Sequence, residues 1–133
     1  MARFVLVCFG GAIGTGGRFL LSTWVTNTFG GNFPRGTVLI NVSGSFIIAL
    51  ILEVSALTGT VSQNTRLFLT TGMMGGYTTY SSFNYETLSL FERGAPELAA
   101  LNLGITVAGC LLSGFLGLLS ARGLAKLGML MAG

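Results

Sequence analysis

The chain has 133 residues and a formal net charge of +3; 8% of its residues are charged and 51% hydrophobic. Its mean hydropathy is +0.77, and so little charge, against roughly 25% in a soluble domain, describes one membrane domain. The basic residues stand singly, which excludes a surface tracking a nucleic-acid backbone, and the absence of histidine excludes imidazole base catalysis and histidine–metal chemistry.

Four apolar stretches follow one another, each long enough for a hydrocarbon core of roughly 30 Å. The first covers about 4–25. It holds Gly10 and Gly14 four residues apart, a spacing that lets helix backbones approach closely. Its apolar run resumes after Arg18 with "FLLSTWV", so it is expected to be a span and not a cleaved signal peptide. "NTFGGNFPRG" (27–36) ends it.

The second stretch, about 37–58, carries Thr37, Asn41 and Ser45 at i, i+4 and i+8, on one helix face. Glu53, nearer its end, is expected at the membrane–water interface. After "TGTVSQNTR" (58–66), the third stretch covers about 67–91. Its middle reads "GGYTTYSSF" (75–83), with a glycine pair and several hydroxyls at membrane depth. Each glycine weakens a helix by about 1 kcal/mol relative to alanine in water. A broken helix is expected there, and a break survives only where protein or a wet cavity covers the backbone.

"ERGAPE" (92–97) leads to the fourth stretch, about 98–121. There Gly109, Ser113 and Gly117 repeat the small-residue spacing, and Asn102, Thr106 and Cys110 form a second polar stripe. Short linkers make neighbouring spans antiparallel. Cys8 and Cys110 form no Cys-x-x-Cys pattern and are expected to pack as small hydrophobes.

Four spans put both termini on one side, with Arg3, Arg66, Arg122 and Lys126; Arg35, Arg93 and the snorkelling Arg18 belong to the other. Four against three hardly sets an orientation. The same balance is compatible with insertion both ways and pairing of opposed copies. The polar stripes serve either as interhelical hydrogen-bond glue or as a polar path. For the path, freed carbonyls could coordinate a cation, hydroxyls could donate to an anion, and the ring edges of Tyr80 and Phe83 carry partial positive charge. Arg18 and Glu86, ionisable within or near spans, are functional candidates. No nucleophile with its base, phosphate loop or metal cage is present in the pattern, so no enzyme is expected.

"GGAIGTGGR", "PRGTVLINVSG", "TTGMMGGYTTYSSFNYE" and "AGCLLSGFLG" together resemble, in order and spacing, the Fluc/CrcB family of small fluoride channels. The resemblance covers nearly the whole chain. It implies an all-α membrane protein with four transmembrane helices, the third broken near its middle, working as a dual-topology antiparallel homodimer in the plasma membrane of a prokaryote. It implies passive fluoride export that lowers cytoplasmic fluoride, and a structural sodium ion on the two-fold axis. By motif position the sodium ligands are the main-chain carbonyls of Gly75 and Thr78 from each subunit. Tyr80 and Phe83 are the pore aromatics, Asn41 the pore-facing amide, Ser81 and Ser82 further hydroxyls, and Thr106 part of the fourth-span track. Arg18 sits at the vestibule and Glu86 beyond the aromatics. Tyr80 stands where the family usually has phenylalanine, and Cys110 and Gly114 depart from its hydroxyl run. The competing expectations are a small proton-coupled multidrug exporter, which needs an embedded carboxylate that the first span lacks, and a non-transporting scaffold.

Overall fold

The computed structural model describes residues 1–132, with side chains through Gly128. Helix α1 spans Ala2–Phe29 and α2 spans Arg35–Thr58. A short α3, Gln63–Leu67, widens into a π-helical segment, Phe68–Met74, and closes in one turn, α4, Gly75–Tyr77. After two extended residues come α5, Tyr80–Glu92, and α6, Pro96–Ala132. The described residues contain no strand.

Local chemistry sets the ends. Gly59 closes α2 in the left-handed conformation, at φ 64°, which costs glycine nothing. Gly94, at φ 75°, turns the chain after α5. Pro96 then opens α6, at the first helical position, where its missing N–H is no loss. Ser62 caps α3 by accepting from the Thr65 N–H at 3.1 Å.

Among the described residues, three helices are long and apolar enough to cross a membrane: Ala2–Phe29, Arg35–Thr58 and Pro96–Gly128. The chain is therefore a multi-pass membrane protein. The segment 63–92 is helical on both sides of its interruption, and neither side alone reaches membrane length.

Burial is inverted relative to a soluble bundle. Thr37, Asn41, Thr70, Thr79, Thr87, Asn102 and Thr106 are buried, while Phe9, Phe19, Trp24, Leu111 and Leu112 are exposed. Lipid solvates leucine as well as a protein core does, so the interior selects small residues and satisfied polar groups. Cys8 follows this rule against expectation: it is exposed on α1. It shares that face with Phe4, Val5 and Phe9.

The small residues do bring backbones together. A methyl at Gly10 would lie 2.6 Å from the Phe68 carbonyl oxygen, and one at Gly14 would strike the Met73 carbonyl. Gly76 meets the Gly11 backbone from the opposite side. These glycines seat α1 against the π-helical segment and α4. Helix α2 makes its most extensive packing against α6. There Gly117 faces the Phe46 carbonyl, and the Ser113 hydroxyl donates to the Val42 carbonyl at 2.7 Å.

Candidate functional site

The glycine pair itself stays helical; the extended residues are Thr78 (φ −77°, ψ 157°) and Thr79 (φ −152°, ψ 113°). Each threonine has a distinct part. The Thr78 N–H and hydroxyl both turn back to the Met74 carbonyl, at 3.0 and 2.9 Å, and close the preceding turn. The Thr79 hydroxyl oxygen accepts from the Ser82 N–H at 3.2 Å and so caps α5.

Thr79's own peptide groups belong to neither helix. Asn41 of α2 takes both: its Oδ1 accepts from the Thr79 N–H at 2.8 Å, and its Nδ2 donates to the Thr79 carbonyl at 2.9 Å. A primary amide carries one donor and one acceptor side by side, so it substitutes for a strand neighbour. Because Asn41 holds the Thr79 N–H, the Gly75 carbonyl loses the donor that a continuous helix would give it. The Gly76 carbonyl accepts from the Thr15 hydroxyl of α1 at 3.3 Å.

Beside the interruption lies an open groove of about 400 Å³. Asn41 and Ser45 line it from α2, and Thr106 and Cys110 from α6. Thr78, Thr79, Tyr80 and Phe83 line it from the interruption and α5, and the aliphatic Ile48, Val107 and Leu111 make the rest of a mostly apolar wall. No charged side chain lines it among the described residues. Phe83 is buried and Tyr80 is 78% exposed; their ring centroids lie 5.7 Å apart with planes tilted by 59°. The hydroxyl protons of Ser45, Thr78, Thr79 and Thr106 are engaged within the fold, on the Asn41 and Met74 carbonyls, the Ser82 hydroxyl and Asn102 Oδ1. The second N–H of Asn41, the Cys110 thiol, the aromatic rings and the N-terminal end of α5 remain as dipoles that suit a small anion, and none is a full charge that would hold it fast.

The other expected residues lie elsewhere. Ser81 is exposed; Ser82 is half-buried, and its hydroxyl accepts from the Thr79 hydroxyl at 3.0 Å. Glu86 borders a second cavity of about 190 Å³, together with Tyr85, Ser89 and Arg93. The Thr37 hydroxyl donates to its Oε1 at 2.8 Å, and its Oε2 is buried with no partner. Arg18 is half-buried on α1 and lines neither cavity. Asn102, on the fourth-span stripe, is wholly buried between helices. The brace between Asn41 and Thr79 joins residues 38 apart and had no signal in the spacing of the sequence.

The profile of the CrcB-like protein family (Camphor Resistance, CrcB) matches residues 5–118. This chain belongs to the CrcB family. Among the relatives of this CrcB chain is the fluoride-specific ion channel FluC of Anaeromyxobacter sp. (strain K), 54% identical over 125 residues, covering 94% of this chain and 99% of that protein. The protein of the same name from Sorangium cellulosum is 48% identical, over 92% and 96% of the two chains. That of Clostridium novyi is 44% identical, over 85% and 91%. With bacterial relatives matched nearly end to end, the CrcB chain is a prokaryotic multi-pass membrane protein.

Proposed function

We propose that this chain forms a fluoride-selective channel through which fluoride leaves the cytoplasm passively. The observation that carries the reading is the uncharged groove at the helix interruption, where the Asn41 amide and the Tyr80 and Phe83 rings stand among aliphatic side chains, in a chain whose near-full-length relatives are named fluoride-specific ion channels. Fluoride is small and tightly hydrated, so its path needs many close donors to replace water. Asn41 has a second N–H beyond the one given to Thr79. The edges of Phe83 and Tyr80 add weak positive potential without trapping the ion. Ser81, Ser82, Arg18 and Glu86 lie outside the groove and act at its approaches, Arg18 drawing anions in and Glu86 with Thr37 lying beyond the aromatics. The protein is a channel and not an enzyme.

In this reading the segment 63–92 makes the third of four crossings, broken at Thr78–Thr79. The groove is open along one side, where Tyr80 stands exposed, and a second, antiparallel copy covers it within the lipid. The Gly75 carbonyl, deprived of its helical donor, has acceptor capacity that suits a hard cation. Gly75 and Thr78 of both copies would hold a sodium ion through main-chain oxygens. When bound, it supplies a fixed positive charge that compensates these carbonyls and joins the two copies.

The test is efflux from liposomes loaded with fluoride or chloride and containing the purified protein. Rapid fluoride efflux with chloride retained is expected. Comparable efflux of both ions contradicts the reading.

A further inference from the structure

We propose that Asn102 and Thr87 are positioning residues for Phe83, holding its ring at the groove through a one-way relay of hydrogen bonds. This rests on the channel reading above. The relay starts in the groove wall and returns to it. The Thr106 hydroxyl donates to Asn102 Oδ1 at 3.4 Å, Asn102 Nδ2 donates to the Thr87 hydroxyl oxygen at 2.8 Å, and the Thr87 hydroxyl donates to the Phe83 carbonyl at 2.7 Å. Thr106 and Phe83 line the groove, whereas Asn102 and Thr87 do not. Asn102 is 0% exposed, so its polar atoms have no water to turn to.

Helix α5 needs such a fixture. It has 13 residues, entered through two extended residues and left through the Gly94 turn. It packs on α6 and, less, on α2. Its buried face is Phe83, Thr87 and Leu90. In lipid the two apolar members gain little by facing protein, since the tails solvate them equally well. Apolar packing therefore discriminates poorly between rotations of α5 about its axis. A buried amide–hydroxyl bond has one geometry and selects one rotation; fixing register is the best-attested use of a buried polar group. With all donors running the same way, each bond polarises the next.

The direction has a second consequence. Thr106 gives its proton to Asn102 and shows the groove a lone pair. An anion that takes the Thr106 proton must break the 3.4 Å link, the longest of the three. The links through Thr87 remain, so the ring keeps its place while the ion passes.

The experiment compares Thr87→Val, which keeps shape and removes the hydroxyl, with Thr87→Ser, which keeps the hydroxyl. Fluoride and chloride efflux are both measured in liposomes. Loss of folded protein scales the two rates together; a displaced ring changes their ratio. Misplacing a positioned group by about 1 Å costs up to roughly a hundredfold; Thr87→Val is expected to slow fluoride at least about tenfold, to lower the fluoride-to-chloride ratio, and Thr87→Ser to restore both. A wild-type rate and ratio in Thr87→Val overturns the proposal, as does a Thr87→Ser variant equally slow, which would show that the hydroxyl does not by itself hold the ring in place. If Thr87→Val aggregates, Thr87→Cys replaces it. Its thiol is a weaker donor, so slowed fluoride with a lowered ratio supports the relay and wild-type values overturn it. Wild-type protein that passes no fluoride sinks the channel reading and this inference together; a conducting wild type with an unaffected Thr87→Val sinks only the inference.

Discussion

Phe83 lines the groove with an aromatic ring and no side-chain hydrogen-bonding group, so substitution tests the proposed role of its ring edge. Phe83→Ile keeps bulk and apolarity but has no positive edge. It is expected to slow fluoride efflux by at least about tenfold, or roughly 1.4 kcal/mol of barrier, with an unchanged elution profile; normal conduction would reduce Phe83 to packing. Tyr80→Phe is expected to be mild. Asn41 has two duties, because its amide faces the groove and also holds Thr79. Asn41→Asp keeps an acceptor for the Thr79 N–H but sets a carboxylate oxygen against the Thr79 carbonyl. It also repels an anion in a narrow path, so flux is expected to stop. Asn41→Ala leaves two buried peptide groups unpaired, at about 1–3 kcal/mol each, and is expected to lower thermal stability in detergent together with flux. Equal stability and flux in wild type and both variants would place Asn41 outside the site. The polar stripe of α2 marked Asn41 in the sequence. Its partner was not legible, because a contact across 38 residues leaves no local pattern.

At the scale of helices, small residues set who touches whom. Gly14→Ala would drive a methyl into the Met73 carbonyl, whereas a methyl at Gly16 meets nothing within 4 Å. Backbone against backbone cannot be relieved by a rotamer, and overpacking of this kind costs about 1–3 kcal/mol or more. Gly14→Ala is therefore expected to yield mostly aggregated protein by size exclusion, and Gly16→Ala to match wild type. The reverse ranking would show that α1 does not seat on the π-helical segment. The four-residue glycine spacing marks this close approach in the sequence itself. The interruption is less legible there. Gly75 and Gly76 are helix-weakening residues, yet both remain helical, and Gly76 serves close approach to α1. The chain stops being helical at the two threonines because each hydroxyl finds a better local partner: one closes a turn, the other caps the next helix.

At the scale of the molecule, the exposed apolar faces of α1 and α6 suit lipid. Arg122 and Glu53 pair at 2.7 Å, with side chains 60% and 19% exposed. Such a pair is worth about 0–1 kcal/mol, so Arg122→Ala should leave flux and thermal stability nearly unchanged; a large loss of either would give the bridge a structural role. The proposed sodium between two copies has a larger predicted effect. Purification with a bulky organic cation in place of sodium is expected to remove fluoride flux and to loosen the pair in cross-linking experiments, with recovery when sodium returns. Flux and cross-linking indifferent to the exchange would mean that water or hydroxyls satisfy the Gly75 and Thr78 carbonyls.

Composition and periodicity by themselves determined that this is a helical membrane protein, where its apolar stretches lie, and which faces carry amides and hydroxyls. These are local properties: hydropathy is summed over a window, and a helix places i and i+4 on one face whatever surrounds it. The long third-span motif also pointed to the family. Only the tertiary structure decided that Asn41 pairs with Thr79, that Asn102 bonds to Thr87 and leaves the groove, and that Glu86 borders a separate cavity. A polar side chain in a membrane helix takes whichever partner the neighbouring helix presents, and that neighbour is set by backbone approach across the whole bundle, which no stretch of sequence contains.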